Sequence, residues 1–163
     1  MSTPGPEAIP DRRETWAQAD FEGRARCVIS VNGGHALIAD EPADLAGGLG
    51  GENAGPTPLG YLVAAFAADI PVILARLARE MQISIDAMRA RTTIVYNPRG
   101  IRGLPGYEPT PHEAISDIWR TTTAAPAALD QLKEQYARRC PVYNILRKSG
   151  CRMIDHWHIT TSP

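Results

Sequence analysis

Apolar residues interspersed with polar ones over residues 14–31 (ETWAQADFEGRARCVISV) read as two extended strands broken at Glu22-Gly23. The second, Cys27 to Val31, runs into Asn32-Gly33, a dipeptide that favours a tight hairpin turn, and His35 to Ala39 reads as the returning strand. A glycine-rich loop follows from Asp40 to Gly55. The period then changes. From Tyr61 to Ala75 nearly every residue is apolar, and Leu62, Phe66, Asp69, Ile73 and Leu77 recur at the three- and four-residue spacing of one helical face. Thr57 as N-cap and Pro58 in the first turn start this helix, which is predicted to run to about Met81. Strand character returns over Ser84 to Tyr96 and stops at Asn97-Pro98-Arg99-Gly100. A Pro- and Gly-rich loop, Arg102 to Pro111, leads to a strand near Glu113 to Thr123. A helix is predicted over Pro126 to Arg139. Cys140-Pro141 interrupts it, because a proline disfavours the helical state of the residue before it. A short helix, Val142 to Lys148, and a strand, Arg152 to Thr160, complete the order βββ-α-ββ-α-α-β. This is an α+β arrangement, with sheets built from antiparallel pairs packed on a long central helix.

At 163 residues and 44% hydrophobic content the chain supplies one domain's core, expected over 14–163 behind a flexible Pro-rich segment at 1–13. The net charge of -1, with no clustered basic face, argues against a nucleic-acid partner. The apolar run at 61–75 is shorter than the roughly 20 residues that span a bilayer, so no membrane partner is expected. The opening residues lack a signal-peptide pattern. Cys27, Cys140 and Cys151 have no zinc-type spacing, which points to reduced thiols in the cytoplasm, with neither metal nor cofactor. His156 and His158 share a strand face, but the sequence places no third ligand beside them. The glycine-rich loop lacks the features of a phosphate cradle and reads as a lid or a connector.

The charge inside the apolar helix is the chemical signal. A buried carboxylate at Asp69 must be paired, hydrogen-bonded or protonated. Pro71 removes the backbone bond to the carbonyl of Ala67 and loosens the helix beside it. Two readings stand: an acid–base site, or a salt-bridged core residue facing an arginine of a partner subunit. His35 likewise reads as either a structural strand residue or a proton acceptor.

The run His35-Ala36-Leu37-Ile38-Ala39-Asp40, then Gly47-Gly48, then Gly55-Pro56-Thr57-Pro58-Leu59 with its apolar helix, resembles the OsmC/Ohr family. So does Arg139-Cys140-Pro141-Val142-Tyr143-Asn144. The resemblance spans about residues 20 to 160. It implies an OsmC-like fold, an intertwined α+β homodimer with sites at the subunit interface. It also implies chemistry in which a mid-helix cysteine attacks an organic hydroperoxide and a cysteine before Pro-Val resolves the sulfenic acid as a disulfide. The chain departs twice: Asp69 stands at the mid-helix cysteine position, and Gly60 at that of a helix-start glutamate. Cys140 matches the resolving position. Arg24 and Arg26 are candidates for the family's N-terminal arginine.

These departures lead to a repurposed enzyme with acid–base chemistry, of hydrolase or isomerase type, on a small hydrophobic substrate. Asp69, Cys140 and His35 would be catalytic, and Arg24, Arg26, Leu62 and Phe66 substrate-binding. The alternatives are residual thiol-dependent hydroperoxide reduction through Cys140, and a non-catalytic binder of an apolar ligand.

Overall fold

The computed structural model describes residues 12–160; most of the N-terminal segment expected to be flexible lies outside the described residues. The chain divides into two compact units, one up to Leu59 and the other from Gly60.

The first unit is a three-stranded antiparallel meander of β1 (Ala17–Gly23), β2 (Arg26–Val31) and β3 (His35–Ala39). Gly33 and Gly34, both at positive φ, make the β2–β3 turn the sequence predicts. The β1–β2 turn carries Arg24 at φ 51, an unusual conformation for a side-chain-bearing residue. The glycine-rich loop is ordered around one carboxylate. Buried Asp40 accepts the backbone N–H groups of Glu41 (2.8 Å), Glu52 (2.9 Å) and Ala54 (3.0 Å). These bonds, the one from Ala54 foremost, hold its carboxyl below the usual range. Gly55 lets the returning chain touch β3: a Cβ there would lie 1.9 Å from the Ile38 carbonyl oxygen. Gly55→Ala is therefore expected to cost about 2 kcal/mol or more, read as a lower denaturation midpoint.

The second unit contains nearly all of α1 (Pro58–Glu80), then β4 (Ala87–Val95), α2 (Pro98–Ile101), β5 (Glu113–Thr121), α3 (Pro126–Arg139), α4 (Pro141–Lys148) and β6 (Arg152–Thr160). Helix α1 runs unbroken through Pro71. At 23 residues it is longer than the apolar run alone suggested and reaches membrane-spanning length, yet Phe66, Ile70, Ile73, Leu74 and Leu77 on it belong to the unit's core.

One element of the predicted topology is corrected. The second sheet has the order β4-β5-β6, and while β4 and β5 are antiparallel, β5 and β6 run parallel. The cause is the connection: a return to a parallel neighbour requires a long crossover, and α3 with α4 supplies it. The four-residue α2, capped by the Asn97 side chain, was also absent from the sequence reading, which ended β4 there without a helix. Along β5 every second residue, Ala114, Ser116, Ile118 and Arg120, is buried against the helices.

Candidate functional site

Asp69 lies on α1 at the edge of the buried stripe and is half-buried, three residues on from buried Phe66. Cys140 lies at the α3–α4 break, fully buried. The break exists because Pro141 follows Cys140, and several groups hold it in place. The Cys140 sulfur caps α4 by accepting the Tyr143 N–H at 3.4 Å. The Asn144 amide donates to the carbonyls of Ala137 (3.0 Å), Arg138 (3.3 Å) and Cys140 (2.8 Å), stitching the end of α3 to α4. One residue before the break, the Arg139 guanidinium takes both carboxylate oxygens of Glu80, at 2.6 and 3.0 Å, and ties the end of α3 to the end of α1.

These restraints bring the two residues together. The Cys140 thiol donates to Asp69 Oδ2 at 2.9 Å, and the Val142 N–H donates to the same oxygen at 3.3 Å. No described residue donates to Asp69 Oδ1. Among the described residues Asp69 meets a thiol and a backbone amide and no guanidinium. A carboxylate accepting a thiol proton opposes thiolate formation. Burial first, and the Asp69 bond and charge next, push the Cys140 thiol up to about 12.

Aromatic side chains stand behind the pair. The Tyr143 ring lies 6.5 Å from that of Phe66 and 5.3 Å from that of Tyr136, and Tyr136 meets Trp157 edge-on at 5.6 Å. The Tyr136 hydroxyl is buried beside Cys140, and burial pushes its ionisation upward. A second acid, Asp155 on β6, receives the Ser116 and Tyr143 hydroxyls; burial still raises its carboxyl above the ordinary value.

The other residues expected at the site fall as follows. Phe66 is wholly buried, so it supports the site from within the core instead of lining a cavity; Leu62 is half-buried and packs against that core. In the first unit His35 is exposed at the head of β3. Arg24 faces Glu52 at 3.7 Å and Arg26 donates to Glu22 at 2.9 Å. Both arginines line an open cleft of about 300 Å³ with Asp40 and Gly51. His156 and His158 both reach Asp117 Oδ1, at 3.1 and 3.4 Å, on the outer face of the second sheet, and their hydrogen bonds hold that carboxyl below its usual range. Sequence reading did not single out Tyr143, Val142 or Asn144 individually. Their signal was local: the residues after Cys140-Pro141 form the first turn of a helix that the cysteine caps.

The Cys140 environment has a pH signature. In an unfolded chain a cysteine ionises near 9, and here near 12. The folded state thus binds the proton more tightly, so this contribution to stability is complete below pH 9 and is lost as pH rises to 12. In a variant with Cys27 and Cys151 changed to serine, ultraviolet thiolate absorbance is expected to appear only near the upper end of that range, and Asp69→Asn is expected to shift it downward.

The profile of the OsmC-like protein family matches residues 50–153, which include both Asp69 and Cys140. The chain is similar in fold to an OsmC-like protein of Mycoplasma pneumoniae (16% identity, 93% of this chain and 99% of that one, TM-score 0.70). It is likewise similar to an organic hydroperoxide resistance protein of Legionella pneumophila (17% identity, 91% and 97% covered, TM-score 0.61). A third is a Vibrio cholerae protein described as a putative organic hydroperoxide resistance protein with captopril bound in one of its active sites (17% identity, 94% and 95% covered, TM-score 0.62). No curated protein matches. With the family profile covering well over half its length, the chain belongs to the OsmC/Ohr family.

Proposed function

We propose that this protein carries out acid–base chemistry on a small hydrophobic substrate, with Asp69 as the base and Cys140 as the group that orients it. The observation behind this reading is the one-sided bonding of the carboxylate. Oδ2 accepts both the thiol and the Val142 N–H, and no described residue donates to Oδ1 of this half-buried side chain. A base needs such an oriented oxygen within reach of a substrate proton or a water. The reaction class is proton abstraction, as in an isomerisation, or water activation, as in a hydrolysis. Cys140 acts through its S–H, since burial and the facing carboxylate disfavour its thiolate.

The working unit is proposed to be a homodimer in a reducing cytoplasm. Exposed Trp16, Phe21 and Leu37 on the first unit support a covering partner copy, and the three free thiols fit a reducing compartment.

A competing reading is thiol-dependent hydroperoxide reduction by Cys140 alone. It is favoured by the names of the Legionella and Vibrio proteins and opposed by the burial of the sulfur. One experiment separates them. The purified protein is assayed against a panel of esters, thioesters and diketones, and against cumene hydroperoxide with a dithiol. Turnover of a panel substrate that Asp69→Asn abolishes and Cys140→Ser only reduces supports the base. A panel hit that survives Asp69→Asn intact removes it. Peroxide consumption abolished by Cys140→Ser replaces it with the competing reading.

A further inference from the structure

Both backbone N–H groups that meet the Asp69–Cys140 pair come from the first turn of α4. Val142 reaches Asp69 Oδ2 at 3.3 Å, and Tyr143 reaches the Cys140 sulfur at 3.4 Å. Helix α4 has only eight residues, too few to be stable on its own, so its placement depends on what it packs against. Its buried side chains are Tyr143 and Leu146. Leu146 supplies apolar contact, which is non-directional. The Asn144 amide ties α4 to the end of α3. That leaves the Tyr143 hydroxyl as the group that fixes α4 directionally against the sheet.

That hydroxyl ends at an acid. Asp155 on β6 stands opposite Ser116 in the parallel register, on the side of the sheet that faces the helices. Its carboxylate receives the hydroxyls of both Ser116 and Tyr143. Taking a carboxylate out of water is costly, and an apolar residue would fill the same space without that cost. What the acid adds is a fixed acceptor. Ser116 is wholly buried, so its hydroxyl has no bulk water to turn to and holds the carboxylate in one orientation. The connection to the thiol then runs through Tyr143, whose phenol is bonded to Asp155 and whose N–H is bonded to the Cys140 sulfur.

We infer that Asp155 is a positioning residue for Cys140: with Ser116 it holds the Tyr143 hydroxyl, and so keeps the first turn of α4, with its two N–H groups, closed over the Asp69–Cys140 pair. The rings of Phe66 and Tyr136 pack on Tyr143 at 6.5 and 5.3 Å, but ring packing does not fix how far the side chain reaches across the core. The hydroxyl bond does. The inference concerns the protection of the thiol and stands whether or not Asp69 is a base.

The test is the alkylation rate of Cys140 under native conditions, in the full chain with Cys27 and Cys151 changed to serine. Asp155→Ala is expected to raise it roughly tenfold, the effect of losing one hydrogen bond to a charged group. Tyr143→Phe removes only the phenolic oxygen. It is expected to give the same rise, and the double variant no more than either alone, since both changes delete one tie. Tyr143→Phe also keeps the test open should Asp155→Ala fail to fold. Asp155→Asn is expected to stay within about twofold of the parent, because its oxygen still accepts from Tyr143 and its amide donates to the Ser116 hydroxyl. Thr122→Val removes a buried bond to the Ser84 carbonyl elsewhere in the unit. It is expected to lower the denaturation midpoint without changing the rate. Unchanged alkylation in Tyr143→Phe, additive rises in the double variant, Asp155→Asn as fast as Asp155→Ala, or an equal rise in Thr122→Val would each overturn the inference.

Discussion

Asp69→Cys is expected to form a disulfide with Cys140 under mild oxidation, seen as the loss of two hydrogens in the intact mass and of two titratable thiols. The carboxylate oxygen of Asp69 already lies 2.9 Å from the Cys140 sulfur. A cysteine sulfur at position 69 needs only a small adjustment to reach bonding distance, because the Asn144 and Arg139 contacts fix the far side. The new bond would join residues 71 apart in sequence, and closing a loop of that size stabilises by about 4 kcal/mol in the chain-entropy account. The variant is also expected to consume cumene hydroperoxide with a dithiol as reductant, since removing the Asp69 carboxylate removes one of the effects that hold the Cys140 thiol up. The two readouts carry separate information. Failure to form the disulfide would contradict the placement of α1 against the α3–α4 break. A disulfide without peroxide turnover would leave the placement intact and show that a second sulfur alone does not make position 69 a reactive thiolate.

Much of this architecture was legible from local rules, and its limits follow from their range. The hairpin at Asn32-Gly33, the end of α3 at Cys140 and the run of α1 each depend on turn chemistry, a proline or a helical period, and each is present as read. The parallel pairing of β5 with β6 was not legible, because register across a crossover is decided by how α3 and α4 pack and not by either strand's own pattern. Residues 69 and 140 were each singled out, yet that they touch is a tertiary fact no spacing encodes. Arg120 escaped notice for a related reason. In an alternating strand a charge is ordinarily assigned to the solvent face, whereas the period here places it on the buried one with Ile118 and Ser116. Phe66 was assigned to a ligand wall because a helical face says which residues lie together, not whether protein or ligand covers them.

That last point carries the second large effect, the contrast between Phe66→Ala and Leu62→Ala. Phe66 is wholly buried, in the same cluster as Ile70, Leu74, Tyr143 and Cys140, so truncating it removes apolar contact area and leaves a cavity that close-packed neighbours fill only in part. A loss of about 4 kcal/mol is expected, measured by denaturant unfolding. Leu62 is only half-buried, and its truncation is expected to cost about 1 kcal/mol. The site separates the two as well. Phe66 contacts the Tyr143 ring, and Tyr143 donates its N–H to the Cys140 sulfur, so loosening that ring releases a group that holds Cys140 in place. Alkylation of Cys140 in the Cys27→Ser, Cys151→Ser background is therefore expected to accelerate in Phe66→Ala under native conditions and to remain slow in Leu62→Ala. Equal stability losses in the two variants would place Phe66 at a surface that a ligand covers, and unchanged alkylation in Phe66→Ala would mean that the aromatic cluster does not position the thiol.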